Sequence, residues 1–463
     1  MHSARTKRCA LVSAVLGSAV VFIDGTVVNV ALPAIRDDLG SGLAAQQWIV
    51  EAYLLTLGSL VLVGGSLGDR LGRKRVFMAG LIGFGVLSAL CALAPNPGAL
   101  IAARAVQGAA GALLVPSSLA LITAIFSGDE RGAAIGTWTA WTGVAFVAGP
   151  LLGGALIEFV SWRWIFAINV PLVLATLYTA RELPESRDEE TTGRIDYLGA
   201  VLCSLGLAGP VFALIEQSTY GWGDPLVFIP MIGGLALLGL FLWHEAHTPA
   251  PMLPLQLFRT RNFAIGNLAT LLIYGGLGAS TFYVTIFLQQ VGGYKPIAAG
   301  LSLLPITVIM WLLSRRWGAL SVRIGPRLLM GCGPLVAGAG LIWIGQIDAD
   351  VNYLADVLPG VIVFGLGLSA TVAPLTTTAL AAAPDHLAGV ASGVNNAVAR
   401  VAGLLAIAVL PLVAGVGSSL TDPAALESAN SVAMFACAGL LAGGAVISLL
   451  TVPSSAEAVR PTV

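Results

Sequence analysis

The sequence predicts an all-α protein that crosses a membrane many times, and three observations support this prediction. Of the 463 residues, 57% are hydrophobic and only 10% are charged, whereas about 25% of the residues of soluble globular domains are charged. Apolar blocks of about 20 residues recur along the chain, and this length crosses a hydrocarbon core as a helix. The blocks are rich in Gly and Ala and show no strand-like alternation, which is typical of closely packed membrane helices.

Fourteen apolar blocks lie between polar breaks, and each is predicted to be one membrane span. The approximate cores are residues 10–31, 46–67, 76–94, 98–122, 133–156, 163–181, 196–216, 225–244, 263–290, 296–314, 327–346, 355–378, 388–413 and 430–451. The first block follows three basic residues, as the apolar region of a signal peptide does. It is too long for such a region, lacks a small-residue cleavage site and contains an acid, so we interpret it as a span.

The basic residues are distributed unevenly between the two faces that these spans define. Eighteen of the 23 Lys and Arg residues fall on the face that carries both chain ends, whereas Arg36, Arg163 and Lys295 fall on the other face. Arg104 and Arg400 lie within spans. Because loops rich in Lys and Arg stay in the cytoplasm, we expect both termini to be cytoplasmic and the protein to lie in the cell (plasma or inner) membrane.

Two short segments recur at nearly the same distance along the chain. GSLGDRLGRK (65–74) resembles GALSVRIGPR (318–327) at an offset of 253 residues, and GAAIG (132–136) resembles GVASG (389–393) at an offset of 257. Two matches at nearly one offset indicate a duplicated unit, which is the plan of transporters built from parallel repeats.

The offset exceeds the length of six spans, which need about 180–200 residues with their loops. The surplus fits two further helices inserted between the repeats. We therefore predict a six-helix bundle in residues 1–190, two inserted transmembrane helices in residues 191–250 and a second six-helix bundle in residues 251–463.

Asp24 and Arg104 are charged residues within apolar spans of the first half. A charge at the centre of a bilayer costs at least ~2.5–3.5 kcal/mol, so such residues face a cavity or a partner. Arg104 is the one basic residue within a first-half span, and Asp24 is its best candidate partner. The pair either has a functional role in a cavity or only joins two helices.

Four further residues are candidates for lining a substrate cavity: Asn29, Glu51, Gln107 and Trp138. Glu51 lies near the outer edge of its span, so it either faces the cavity or extends to the membrane surface from the helix end.

The loop GSLGDRLGRK has features that a merely basic loop does not need. Gly65 and Gly72 permit a close helix approach and a tight turn. Asp69 is able to meet a helix N-terminus or Arg70, and Arg73 with its basic neighbours holds the loop at the cytoplasmic face. The loop therefore has the elements of an electrostatic latch at this face.

The fifth span ends in GVAFVAGPLLGG (143–154). Gly149 and Pro150 are expected to interrupt the helical hydrogen bonding and to kink the helix. Gly149, Gly153 and Gly154 lack side chains, so another helix is able to pack closely there.

Together these motifs resemble those of a known family. In chain order they are FIDGTVVNVALPAI (22–35), GSLGDRLGRK (65–74), ARAVQGAAG (103–111), GPLLGG (149–154) and SWRWIFAINVP (161–171). With the fourteen-span layout, they resemble the drug:proton antiporters with fourteen helices, the EmrB/QacA type, of the major facilitator superfamily. The resemblance covers nearly the whole chain and implies the major facilitator fold, with two six-helix bundles and two inserted helices.

The resemblance implies a proton-coupled efflux antiporter that exports small lipophilic compounds by alternating access. Asp24 and Arg104 would be the coupling pair, and Gly149, Pro150, Gly153 and Gly154 the antiporter hinge. The cytoplasmic gate would comprise Gly65, Asp69, Arg70, Gly72 and Arg73, with Asp69, Arg70 and Arg73 as its latch. Two alternatives remain: a dedicated exporter of a single antibiotic or metabolite, and a non-transporting membrane receptor or scaffold on the same fold.

Other chemistry has little support in the sequence. No GxxxxGK[ST] nucleotide-binding loop is present. The five cysteines are scattered without a CxxC pair, and His244 and His247 lack cysteine partners, so no metal site is predicted. We expect no enzymatic activity, no cofactor and no nucleic acid. The expected partners are a small-molecule substrate, protons and the lipid bilayer. The proton gradient is the expected energy source, and the protein is expected to be a monomer.

Overall fold

The computed structural model describes residues 3–186, 196–249, 251–348, 350–382, 388–415 and 423–454. All regular secondary structure in these ranges is helical, which confirms the all-α prediction. The α-helices are α1 Ala4–Leu39, α2 Leu43–Leu71, α3 Arg73–Ala92, α4 Pro97–Ile125, α5 Gly128–Phe159, α6 Trp164–Ala167, α7 Asn169–Ala180, α8 Tyr197–Tyr220, α9 Pro225–His247, α10 Arg261–Gln290, α11 Pro296–Ser302, α12 Leu304–Ile324, α13 Pro326–Ile344, α14 Leu358–Ala381, α15 Ala388–Val413 and α16 Pro423–Thr451. A 3₁₀ turn, Leu255–Arg259, precedes α10, and a π turn, Tyr353–Val357, precedes α14.

Twelve helices of the described residues are long and apolar enough to cross a membrane. The two other predicted spans, 133–156 and 163–181, overlap two shorter apolar helical stretches: Ala148–Phe159, which is part of α5, and Trp164–Ala180, which comprises α6 and α7. The prediction of a polytopic helical protein is therefore confirmed, whereas the count of fourteen spans stays a prediction.

The described chain divides into two compact units. The first comprises Met1–Phe212 with Phe228–Leu253, and the second comprises Ala213–Val227 with Pro254–Val463. The predicted division into two bundles and an inserted pair stays a prediction.

The same packing pattern occurs in each unit. In the first unit, α4 packs against α1, α2 and α3, while α1 also packs against α5 and α7. In the second unit, α14 packs against α10, α12 and α13, while α10 also packs against α15 and α16. This agreement supports the duplication that the two sequence repeats indicate.

The repeated loops share one backbone device. Gly72 separates α2 from α3 with φ of 107°, and Gly325 separates α12 from α13 with φ of 84°. Residues that have a side chain rarely adopt a positive φ, so each loop needs a glycine at the one residue that separates the two helices. The tight turn predicted at Gly72 is present in both repeats.

The close helix approach predicted at Gly65 occurs instead at Gly64, one residue earlier. A Cβ added to Gly64 would stand 2.9 Å from the carbonyl carbon of Ala112 on α4, whereas a Cβ on Gly65 would make an ordinary contact, 3.6 Å from Pro116. The rotation of α2 about its axis decides which glycine faces α4, and sequence spacing does not reveal this rotation.

Ion pairs join several helices at one end of the first unit. Arg5 at the start of α1 bonds to Glu182 after α7 at 3.0 Å, and Lys7 bonds to Glu130 near the start of α5 at 2.5 Å. These segments therefore share one end of the unit, which agrees with the face on which the sequence places Arg5 and Lys7.

A second group of polar contacts lies at the opposite ends of α1 and α5. Asp38 at the end of α1 accepts hydrogen bonds from Arg163 at 2.5 Å and from the indole nitrogen of Trp162 at 3.0 Å. Arg163 also lies 4.4 Å from the centre of the Trp162 ring. The segment between α5 and α6 is thus fastened to the end of α1.

Candidate functional site

The centre of the first unit contains a buried ion pair. Asp24 on α1 is 0% exposed and Arg104 on α4 is 1% exposed, and the guanidinium Nη1 donates to Asp24 Oδ2. These residues are 80 positions apart in sequence. The structure thus brings together the acid and the base that the sequence singles out.

Two amides also donate to the Asp24 carboxylate. Asn169 Nδ2 and Gln107 Nε2 lie 2.9 Å and 3.0 Å from Oδ1. The Ser88 hydroxyl accepts from the same two amides, at 2.8 Å from Gln107 and 3.3 Å from Asn169. These hydrogen bonds hold the Asp24 carboxyl group in place from three sides, through Arg104, Gln107 and Asn169.

Arg104 has partners other than Asp24. Its Nε donates to the backbone oxygen of Ile49 at 3.1 Å, and its Nη1 donates to Gln107 Oε1 at 2.8 Å. The Tyr53 ring centre lies 4.0 Å from the guanidinium carbon and the Phe166 ring centre lies 5.7 Å from it. A cation over an aromatic face gains about 0.5–2 kcal/mol. These partners hold the guanidinium in place in addition to Asp24.

Sequence reasoning did not identify four members of this cluster as functional: Tyr53, Ser88, Phe166 and Asn169. Phe166 and Asn169 belong to SWRWIFAINVP (161–171), a segment that indicates the family but not the role of its individual residues. The usable signal was Asn169 itself, because a buried amide in an apolar segment needs hydrogen-bond partners.

Glu51 lies on α2 with 0% exposure. Neither carboxylate oxygen has a hydrogen-bond partner among the described residues. This burial contradicts the alternative that Glu51 extends to the membrane surface. An unpaired buried carboxylate is costly, so Glu51 differs from Asp24, whose carboxyl group has three donors.

The other predicted cavity residues lie in different surroundings. Gln107 belongs to the Asp24 cluster. Trp138 on α5 donates its indole N–H to Ser18 on α1 at 3.0 Å, which is a contact between helices. Asn29 is half-buried, and its Oδ1 has no hydrogen-bond partner among the described residues.

The loop between α2 and α3 is held by the segment that follows α7. Glu185 Oε1 accepts from the backbone N–H of Lys74 at 3.1 Å, and the Lys74 ammonium donates to the backbone oxygen of Leu183 at 2.6 Å. The backbone N–H of Arg73 donates to the Ser186 oxygen at 2.8 Å. A carboxylate at the start of a helix is favourable, so Glu185 stabilises the first turn of α3.

The predicted latch of Asp69 with Arg70 and Arg73 is not located. The Asp69 side chain lies outside the described part of the structure. Arg70 is half-buried, and its Nε has no hydrogen-bond partner among the described residues. The role of these residues in a gate stays a prediction.

The GPLLGG segment lies against the turn of α1 that carries Asp24. A Cβ on Gly149 would stand 3.1 Å from the backbone oxygen of Ile23, and a Cβ on Gly153 would stand 3.2 Å from that of Val27. Gly154 is also buried, and α5 continues through Pro150 without a break. The two glycines therefore let α5 touch the backbone on both sides of Asp24.

Comparison with known proteins identifies close relatives of this chain. The Major Facilitator Superfamily family model matches residues 14–407. The puromycin resistance protein pur8 of Streptomyces alboniger is 35% identical, over 98% of this chain and 92% of that protein. The cephamycin export protein CmcT of Amycolatopsis lactamdurans is 35% identical over 91% of this chain and 88% of that protein. The multidrug resistance protein Stp of Mycobacterium tuberculosis is 32% identical over 92% and 79%.

Solved structures share the fold. A bacterial homologue of the human lysosomal transporter Spinster, in an inward-facing conformation, aligns with a TM-score of 0.71 over 100% of both chains at 16% identity. A D-xylose–proton symporter aligns with a TM-score of 0.67 over 97% of this chain and 98% of that chain at 14% identity. At these identities the likeness concerns the fold alone.

Proposed function

The chain belongs to the major facilitator superfamily and is a membrane transporter rather than an enzyme, and from this premise we propose that it is a proton-coupled efflux antiporter. Its cargo is a small lipophilic compound, exported by alternating access. Relatives at 32–35% identity that are named for antibiotic resistance or export support this proposal. The single observation that carries it is the buried pair of Asp24 and Arg104.

Asp24 is the proton-binding group of the proposed cycle. When its carboxylate takes up a proton, Arg104 loses its anionic partner, and the amides of Gln107 and Asn169 lose a charged acceptor. Breaking a buried ion pair from one side costs about 3–5 kcal/mol. This cost favours a different arrangement of the site and links proton binding to the conformational change.

The contact between α1 and α5 transmits that change. Gly149 and Gly153 touch the α1 backbone at Ile23 and Val27, on either side of Asp24. A shift of this turn therefore moves α5 directly. Gly149, Pro150, Gly153 and Gly154 act as the antiporter hinge.

The proton gradient supplies the energy, and the protein needs no resident cofactor. One charge that crosses a membrane potential of 100 mV gains about 2.3 kcal/mol. Since 1.4 kcal/mol corresponds to a tenfold gradient, one proton per cycle sustains roughly a fortyfold substrate gradient.

The protein is a monomer in the cell membrane with both termini in the cytoplasm. In this orientation the loop between α2 and α3 forms the cytoplasmic gate, with Gly65, Asp69, Arg70, Gly72 and Arg73. The 18-to-3 distribution of basic residues between the two faces supports the orientation.

Glu51 selects positively charged substrates. Its buried carboxylate has no donor among the described residues, so a cationic substrate is able to neutralise it. Asn29, Gln107 and Trp138 complete the proposed cavity. Gln107 also contacts Asp24 and Arg104, so it connects the cavity with the proton-binding group.

A dedicated exporter of one antibiotic or metabolite is the second candidate. Relatives named for cephamycin export and for resistance to and export of tetracenomycin C favour it. A panel of unrelated drugs separates the candidates, because a multidrug exporter responds to several classes and a dedicated exporter responds to one.

The test of antiport uses everted membrane vesicles whose interior is acidified by respiration. Adding a transported lipophilic cation should release protons from the lumen, which a pH-sensitive dye reports, and an uncoupler should abolish the signal. Asp24→Asn should lose the response at equal protein level. Asp38→Asn is the matched control, because Asp38 also lies on α1 and is also paired with an arginine, Arg163, but its side chain is 47% exposed. An unchanged response in Asp24→Asn would overturn the assignment.

A further inference from the structure

A second cluster of ionisable side chains lies where α8 begins and α9 ends. Asp196 immediately precedes α8, and His244 and Glu245 lie in the last turn of α9. The Asp196 side chain is 5% exposed, Glu245 is 3% exposed and the His244 side chain is 19% exposed. None of these residues takes part in the proposed transport cycle. Their burial still requires an explanation, because a buried acid needs a compensating partner.

One oxygen of each carboxyl group is paired. Asp196 Oδ1 is bonded to His244 Nε2 at 2.8 Å and accepts from the backbone N–H of Gly199 at 2.7 Å. Glu245 Oε2 accepts from the backbone N–H of Leu253 at 2.8 Å. Each acid thus holds a different segment in place: Asp196 caps the start of α8, and Glu245 binds the chain that follows α9.

The other two oxygens are buried and have no hydrogen-bond partner among the described residues: Asp196 Oδ2 and Glu245 Oε1. Both converge on the same point. A Cβ added to Gly199 would stand 2.7 Å from Glu245 Oε1 and nearer still to Asp196 Oδ2. The two unpaired oxygens are therefore neighbours, with no donor between them.

Two carboxylates that share a buried site do not both ionise, because like charges at short distance repel strongly. A single proton between Asp196 Oδ2 and Glu245 Oε1 satisfies both oxygens at once. We propose that Asp196 and Glu245 form a second proton-binding site, which holds one shared proton and fastens the segment at Leu253.

The groups around this site are few. From α9, His244 contacts Asp196, whereas His247 is exposed and stacks on Trp243. From α8, Cys203 is the nearby titratable side chain. The part of α2 that packs here is apolar, through Leu60, Leu62, Val63 and Leu67. The protonated pair therefore has His244 as its one direct ionisable neighbour among the described residues.

Loss of the shared proton has a defined consequence. The second negative charge repels the first and displaces the Glu245 carboxylate. Its bond to Leu253 therefore lengthens and weakens, although a charged oxygen is in itself the stronger acceptor. Leu253 is the last residue of the first unit, and the second unit resumes at Pro254. Rising pH at the end of α9 therefore releases the segment at Leu253, through which the chain enters the second unit. Falling pH fastens this segment again.

Hydrogen exchange tests this site without any transport. In the full-length protein in lipid nanodiscs, protection of the Leu253 amide, corrected for the intrinsic exchange rate, should fall about tenfold from acid to alkaline pH, as expected for one lost hydrogen bond. Glu245→Gln should abolish this dependence, because its amide accepts from Leu253 and donates to Asp196 at every pH. Asp196→Asn should also abolish this dependence, because its amide is able to donate to Glu245 Oε1 at every pH.

Asp224→Asn is the matched control. The Asp224 carboxylate also accepts from a backbone N–H on this helical pair, that of Leu226 at 2.8 Å, but it is only partly buried. It should leave the pH dependence at Leu253 unchanged. Protection that is independent of pH in the unmodified protein, or a dependence that survives in both Glu245→Gln and Asp196→Asn, would overturn the proposal.

Discussion

The interaction between Asp24 and Arg104 is measurable as a coupling energy. The perturbation is a double-mutant cycle with Asp24→Asn, Arg104→Gln and both substitutions together. Each single change leaves a buried group without its charged partner, and this costs about 3–5 kcal/mol. In Asp24→Asn the guanidinium keeps Ile49, Gln107 and the Tyr53 ring, so we expect the lower end of this range.

The double substitution removes both charges, so it should destabilise the protein little more than either single change. The coupling energy, obtained from the three differences, should therefore be at least ~3 kcal/mol. The assay is the free energy of unfolding of the purified full-length protein in detergent, measured with a denaturant titration for all four forms.

The pair of Asp38 and Arg163 provides the control cycle. Their side chains are 47% and 37% exposed, and exposed ion pairs contribute about 0–1 kcal/mol. Asp38→Asn with Arg163→Gln should give a coupling energy in that range. Equal coupling energies in the two cycles would refute the reasoning, because burial would then have no effect on the Asp24 pair.

Three further predictions concern transport and packing. Glu51→Gln should reduce export of lipophilic cations at least about tenfold and leave export of neutral compounds unchanged; an equal loss for both in a vesicle uptake assay would contradict this. Gly153→Ala should lower the free energy of unfolding by about 1–3 kcal/mol, because its Cβ would meet both the side chain and the backbone oxygen of Val27 on α1. Gly239→Ala on α9, where a Cβ meets nothing within 4 Å, should be neutral or stabilising in the same measurement. Asn169→Ala removes a hydrogen-bond donor from the buried Asp24 carboxyl group, so it should lower the free energy of unfolding by about 1–3 kcal/mol and reduce proton release in the vesicle assay; an unchanged response at equal protein level would contradict this.

Some features follow from the sequence because they depend on local composition. The deficit of charge and the recurrence of apolar blocks predict membrane helices wherever the tertiary structure places them. The partnership of Asp24 and Arg104 is predictable for a related reason: charges within apolar spans are costly, so the choice of partners is very small. The turn at Gly72 is also local, since it depends on the conformation of one residue.

Other features depend on how each helix is rotated about its axis, and only the tertiary structure determines this rotation. It places Gly64 rather than Gly65 against α4, and it turns Asn169 toward Asp24 across 145 residues of sequence. It also brings Asp196 beside Glu245. Hydropathy shows that a segment is buried but not which neighbour each side chain meets, because that choice is made by the packing of all the helices together.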